Sequence, residues 1–132
     1  AEFKRLFPSI QRCSLLDAAI EAAQLSGAGV LLKGAHSVIA DPMGRSWQLT
    51  ETAPWVARTG LGDLLAGFVT GIGAISMVSA EGISCEVLAA AAFVHAEAAR
   101  RCKKGSSSGF IADSLAALTK SIQTRQYNHS SA

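Results

Sequence analysis

Five consecutive residues, Thr59-Gly60-Leu61-Gly62-Asp63, stand directly ahead of a long apolar run. Glycines let a backbone approach a ligand closely. The free N–H groups at a helix start, together with the helix dipole, favour an anion such as phosphate. An aspartate there has two uses. It can cap the helix, since Asp is favoured at helix starts. It can also accept a proton from a substrate hydroxyl lying beside the phosphate. The residues by themselves leave both open. The stretch is not a Walker A loop, because no Gly-Lys-Ser/Thr follows. Nor is it a dinucleotide fingerprint, because the glycine spacing differs and no strand runs straight into it.

Other side chains have a plain and a chemical reading. Lys33 ends the apolar run Val30-Leu31-Leu32, where it either reaches solvent or meets a ligand. His36 in the next loop is a surface residue or a contact. His95 shares a stripe with Leu88, Ala92, Ala99 and Cys102, which favours packing over catalysis. Trp47 reads as packing; Trp55, close to the Gly-Asp turn, packs or borders a ligand. The three cysteines, Cys13, Cys85 and Cys102, match neither a disulfide framework nor a zinc site. They point to small buried thiols in a reduced, cytoplasmic protein. No dedicated protein metal site is visible.

The elements that must position these residues show as periodicity. Ser14 and Asp17 fit a capping box, and Leu15, Ala18, Ala19, Ala22, Ala23 and Leu25 form a helical stripe that Gly27 stops. Residues 30–32 read as a strand buried on both faces, the type common in parallel sheets. Residues 37–40 read as a second strand, Asp41-Pro42-Met43-Gly44 as a turn, and residues 46–50 as the returning strand of a hairpin. An irregular loop over 51–62 leads into a helix over 63–77. Ser84 caps a further helix running to about Lys104, with Arg100, Arg101, Lys103 and Lys104 crowding the end where cations favour the dipole. Residues 105–109 read as a flexible connection, 113–124 as a last helix, and 125–132 as a polar, frayed tail. This order makes an α/β chain, one domain over 1–124. Three closing helices without a strand between them mark a portion of a larger doubly wound fold.

Composition narrows the classes. A net charge of +2, with no basic run interleaved with aromatics, argues against nucleic acid. Residues 64–80 carry no charge, and Gly67 and Gly71 form a small-xxx-small pair. The run falls short of the ~20 apolar residues of a membrane span, and Asp63 and Glu81 bound it closely. It is expected to be a buried helix. Residues 1–12 lack the apolar centre of a secretory signal.

The stretch from Val30 to Ala40, the turn over Asp41–Arg45, and Ala57 through Gly67 together resemble the C-terminal half of the NAD(P)H-hydrate dehydratases, members of the ribokinase-like superfamily. The family pattern is a buried strand ending in Lys-Gly, a hairpin, and a Gly-rich loop closing on Gly-Asp before an apolar helix. The likeness covers about Glu2 to Leu118. It implies the C-terminal portion of a three-layer α/β/α ribokinase-like fold. It implies that Lys33, Gly34, Ala35, His36, Ser37, Gly60 and Gly62 contact ADP or ATP, and that Asp63 faces the hydrated nicotinamide ring of NAD(P)H hydrate. Mg²⁺ would accompany the nucleotide, held mainly by phosphates and waters. Homo-oligomers are common among such proteins. The family loop reads Thr-Gly-Gly-Thr/Ser-Gly-Asp, whereas here it is Arg58-Thr59-Gly60-Leu61-Gly62-Asp63. Fewer glycines make a stiffer loop. Arg58 and Thr59 are candidate phosphate contacts, Arg58 through a guanidinium that suits phosphate or else as a solvated charge. Two alternatives stand beside the dehydratase: a ribokinase-like vitamin-precursor kinase, and a catalytically inactive nucleotide-binding or assembly fragment.

Overall fold

A computed structural model describes residues 2–11, 14–34, 36–50, 60–78, 84–103 and 105–130. A short helix α1 (Glu2–Leu6), which no periodicity announces, brings Phe3 and Phe7 together with ring centroids 5.3 Å apart. Both rings rest on Ile10, Ala18 and Ala22. Helix α2 (Leu15–Ser26) starts and stops as its sequence asks. The Ser14 hydroxyl accepts the Asp17 N–H at 3.1 Å and donates to the Asp17 carboxylate at 2.7 Å. Gly27 ends the helix at φ +66°, a left-handed conformation that costs glycine little.

Strands β1 (Val30–Leu32), β2 (Val38–Ala40) and β3 (Ser46–Gln48) make an antiparallel sheet in the order β1-β2-β3. Leu31 sits opposite Ile39, and Ile39 opposite Trp47. The doubly buried strand is β2, not β1: Val38, Ile39 and Ala40 are all sealed, whereas β1 is half-buried. The reason is position. β2 lies in the middle, and β1 has a strand on one side only among the described residues. Alternation along β2 divides the core. Val38 and Ala40 pack on Ala19 and Ala23 of α2. Ile39 packs through the other face, onto Leu65, Cys85 and Ala92.

Those last three residues belong to two further helices, α3 (Leu61–Val78) and α4 (Cys85–Arg101). Three layers result: α2, the sheet, and α3 with α4. Ser84 caps α4 through the Val87 N–H at 3.4 Å. Helix α4 ends at Arg101, short of Lys104, as Cys102 turns to an extended conformation. Its start lies so near β1 that a Cβ on Gly29 would stand 2.8 Å from Cys85 Sγ. Helix α3 is less buried than its composition predicts. Leu65 is covered, but Ile75 and Met77 are each 67% exposed. Helix α4 screens one side of α3 and leaves the other open. Among the described residues no helix is long and apolar enough to cross a membrane.

Helix α5 (Ser108–Ser130) departs most from the reading of the sequence. It begins five residues before Asp113 and continues to Ser130, into the segment read as a frayed tail. Ser107 supplies the start, its hydroxyl accepting the Phe110 N–H at 3.2 Å. No glycine or proline between 110 and 130 supplies a stop.

Candidate functional site

Gly60 opens the first turn of α3. Its φ is +87°, a left-handed backbone that a side chain would strain. Its carbonyl accepts the Leu64 N–H at 3.0 Å. The amides of Leu61, Gly62 and Asp63 precede that bond and have no partner within the helix. Asp63 therefore stands inside the first turn, and Gly60 holds the capping position. Among the described residues the Asp63 carboxylate makes no hydrogen bond or ion pair, and the side chain is exposed.

The chain after β1 reaches the same place. A Cβ built on Gly62 would lie 3.2 Å from Lys33 Cε and 3.5 Å from Lys33 Cδ, with the Nζ nearer still. The lysine side chain thus lies across Gly62, over the first turn of α3. Residues 33 and 62 are brought together by folding alone. Lys33 has no carboxylate partner among the described residues. A cation at a helix N-terminus faces the positive end of the dipole. The combination of ammonium, amides left free by the helix and bare Gly62 is suited to an anion.

The other expected contacts follow Lys33 in the chain. Gly34 lies against Leu15, which a Cβ would meet at 3.3 Å. His36 is exposed, and Ser37 is half-buried with its carbonyl accepting the Leu49 N–H at 2.9 Å. Ala35, Trp55, Arg58 and Thr59 lie outside the described residues, as does Cys13. Trp47 packs against Ile39 and Leu65 in the core, with the Arg45 guanidinium 5.7 Å from its ring centroid. Cys85 and Cys102 are buried free thiols. His95 is a core residue of α4.

Support for the site comes from residues that the sequence reading missed. Leu61 and Leu64 rest on Ala99 of α4, on Cys102 just past its end and on Ile111 of α5. Asp63 stands at one end of an apolar groove of about 870 Å³ that runs between α3 and α5, with Ala112 and Leu115 on the far wall and Ile75 towards the other end. The signal was present: Ile111, Leu115 and Leu118 recur at helical spacing. Starting the last helix at Asp113 left Ile111 out of it.

At the opposite end of the sheet the charges are paired. Asp41, 3% exposed, accepts the Arg45 backbone N–H at 2.9 Å and its Nε at 2.6 Å. Arg45 Nη1 then reaches Glu86 on α4 at 2.8 Å. Burial pulls the Asp41 carboxyl upward, but the Arg45 bonds outweigh it and hold the group below the ordinary aspartate value.

Residues 1–123 match the family described as NAD(P)H-hydrate dehydratase (Carb_kinase). The chain is similar to the bifunctional NAD(P)H-hydrate repair enzyme Nnr of Synechocystis sp., 49% identical over 71 residues, or 54% of this chain and 14% of that protein. The Mycobacterium leprae enzyme of the same name is 35% identical over 94% of this chain and 25% of its own length. The ADP-dependent (S)-NAD(P)H-hydrate dehydratase of Xanthomonas campestris is 35% identical over 73% of this chain and 32% of its own. The chain therefore spans from 14% to 32% of the length of these relatives. Among solved structures, Bacillus subtilis YxkO superposes with a TM-score of 0.62 at 22% identity, covering 80% of this chain and 39% of that one. The likeness is one of fold, and the three layers are a portion of a ribokinase-like fold.

Proposed function

This chain belongs to the NAD(P)H-hydrate dehydratase family, and on that premise we propose that it carries the nucleotide-phosphate and proton-accepting side of a site that returns NAD(P)H hydrate to NAD(P)H with ADP or ATP. The observation that supports this reading is Lys33 lying across Gly62 at the start of α3. Lys33, Gly62 and the first-turn amides take the phosphates. Gly34, Ala35, His36, Ser37 and Gly60 line the rest of the nucleotide, and Arg58 and Thr59 flank its phosphates. The nucleotide supplies a phosphoryl group when bound. Asp63 accepts the proton of the hydroxyl on the hydrated ring, so that this oxygen bonds to phosphorus as the donor's P–O bond breaks. Phosphate is a far better leaving group than hydroxide. It departs with the C–O electron pair, and the neighbouring C–H electron pair closes the double bond as its proton passes to solvent.

Mg²⁺ fits as an ion borne by the nucleotide. Among the described residues no group of three His, Cys, Asp or Glu side chains could hold a metal. Phosphates and waters would complete the shell. The relatives carry several times as much chain, so turnover is assigned to a protein of their length and nucleotide binding to this segment. The open groove beside α3, with Ile75 and Met77 exposed, suits a homo-oligomer. Free buried thiols at Cys85 and Cys102 suit the cytoplasm.

The test supplies NADHX or NADPHX with each nucleotide to a protein of the relatives' length that contains this segment. Return of reduced-nicotinamide absorbance with release of phosphate supports the dehydratase. A stable phosphorylated alcohol without return of absorbance replaces it with a small-molecule kinase.

A further inference from the structure

Helix α4 presents Ala91, Ala92, Ala98 and Ala99 to the interior, and His95 stands in the middle of that face. The imidazole is 6% exposed, and its Nε2 has no hydrogen-bond partner among the described residues. The proposed reaction makes no use of it. A buried polar atom without a partner is uncommon and calls for a reason.

We infer that His95 is an acid-sensitive pin in the helical layer: while the ring is neutral, α3 and α5 close on α4, and a proton taken up at Nε2 drives them apart. The imidazolium would bury a charge and a second N–H donor among alanines. Among the described residues nothing is arranged to receive it. Helix α4 packs against β2, α3 and α5. Strand β2 has no ionisable side chain, and α3 has only Asp63, which is exposed. Helix α5 brings Asp113 and Lys120, both exposed, and carries Arg125 and His129 further along. On α4 itself Glu97 is tied to Arg100 and Arg101. Burial accordingly makes His95 harder to protonate than an ordinary histidine.

The unfolded chain takes up this proton below an ordinary value of 6.5, while the folded chain resists it. Stability is complete above that pH and is lost as pH falls below it, by up to about tenfold in the folding equilibrium per unit. Asp41, Glu86 and Glu97 are all held below carboxylate values of 3.8 to 4.5, so their losses come at lower pH. The loss at His95 reaches the site, because Leu61 and Leu64 hold the first turn of α3 on α4 and α5.

Two measurements on the 132-residue chain test the pin. Histidine ring resonances are followed from about pH 7.5 to 5, with assignments from His36→Gln and His129→Gln, and His95 is expected to stay neutral where an ordinary histidine is half-protonated near 6.5. Urea midpoints are taken over the same range for wild type and His95→Leu. Wild type is expected to lose about tenfold more of its folding equilibrium than the variant. Titration of His95 at or above the ordinary value, or an unchanged pH slope in His95→Leu, overturns the inference. If that variant does not fold, the wild-type resonance decides alone.

Discussion

At the turn end of the β2–β3 hairpin, Asp41, Arg45 and Glu86 satisfy one another, and Trp47 lies under the guanidinium. At the other end of the same sheet, Lys33 reaches the start of α3 beside Asp63, and neither charge has a partner among the described residues. Both ends use acidic and basic side chains on short connections. Paired charges at the first end fasten the hairpin to α4. At the second end an ammonium and a carboxylate meet no partner among the described residues, beside amides that the helix itself leaves free. The contrast separates charge that stabilises the fold from charge available for chemistry.

The two ends should respond to opposite substitutions. The largest effect is expected for Asp63→Asn in a protein of the relatives' length. The turnover number should fall by roughly 10²- to 10⁴-fold, the range of a positioned acid–base group, with thermal stability and nucleotide affinity unchanged. Asp41→Ala should do the reverse. It strips Arg45 of two bonds, lowers Tm by several degrees, and leaves nucleotide affinity intact below the transition; calorimetry and thermal melts check both. Gly60→Ala lies between the two. Its positive φ costs an alanine about 1–2 kcal/mol, so the urea midpoint should drop modestly, and the distorted first turn should weaken nucleotide binding as well. The smallest effect belongs to a surface triad of charges. Hydrogen bonds from Arg100, then Arg101, hold Glu97 at about 2 against an ordinary 4.5. Its contribution is present above that ordinary value and is lost as pH falls towards 2. Glu97→Gln should flatten only this acid limb of the stability profile, slightly, since both arginines are half-exposed.

Much of the frame was legible because its signals are local. Ser14, Gly27, Ser84 and the Asp41–Arg45 turn act within four residues, and each does in the structure what its type suggests. Gly60, Gly62 and Asp63 could be singled out as a helix start for the same reason. What could not be read depends on distance along the chain. Nothing near Lys33 announces that it will lie across Gly62. Nothing near Val30 says that β2 takes the middle of the sheet and leaves β1 half-buried. The start of α5 was misread because Gly105-Ser106-Ser107-Ser108-Gly109 has the composition of a linker. Ser107 turns its end into a cap, and Ile111 then reaches the site's support.

In the proposed site, Lys33 and the α3 start form a phosphate seat. Calorimetric titration of ADP and of ATP, each with Mg²⁺, into the wild-type chain and into Lys33→Met tests it most directly. Binding to wild type is expected, with affinity about tenfold weaker in the variant, as for loss of one charge-assisted bond, and with both proteins equally folded. No binding to a folded wild-type chain, or equal affinity in the two, would contradict it.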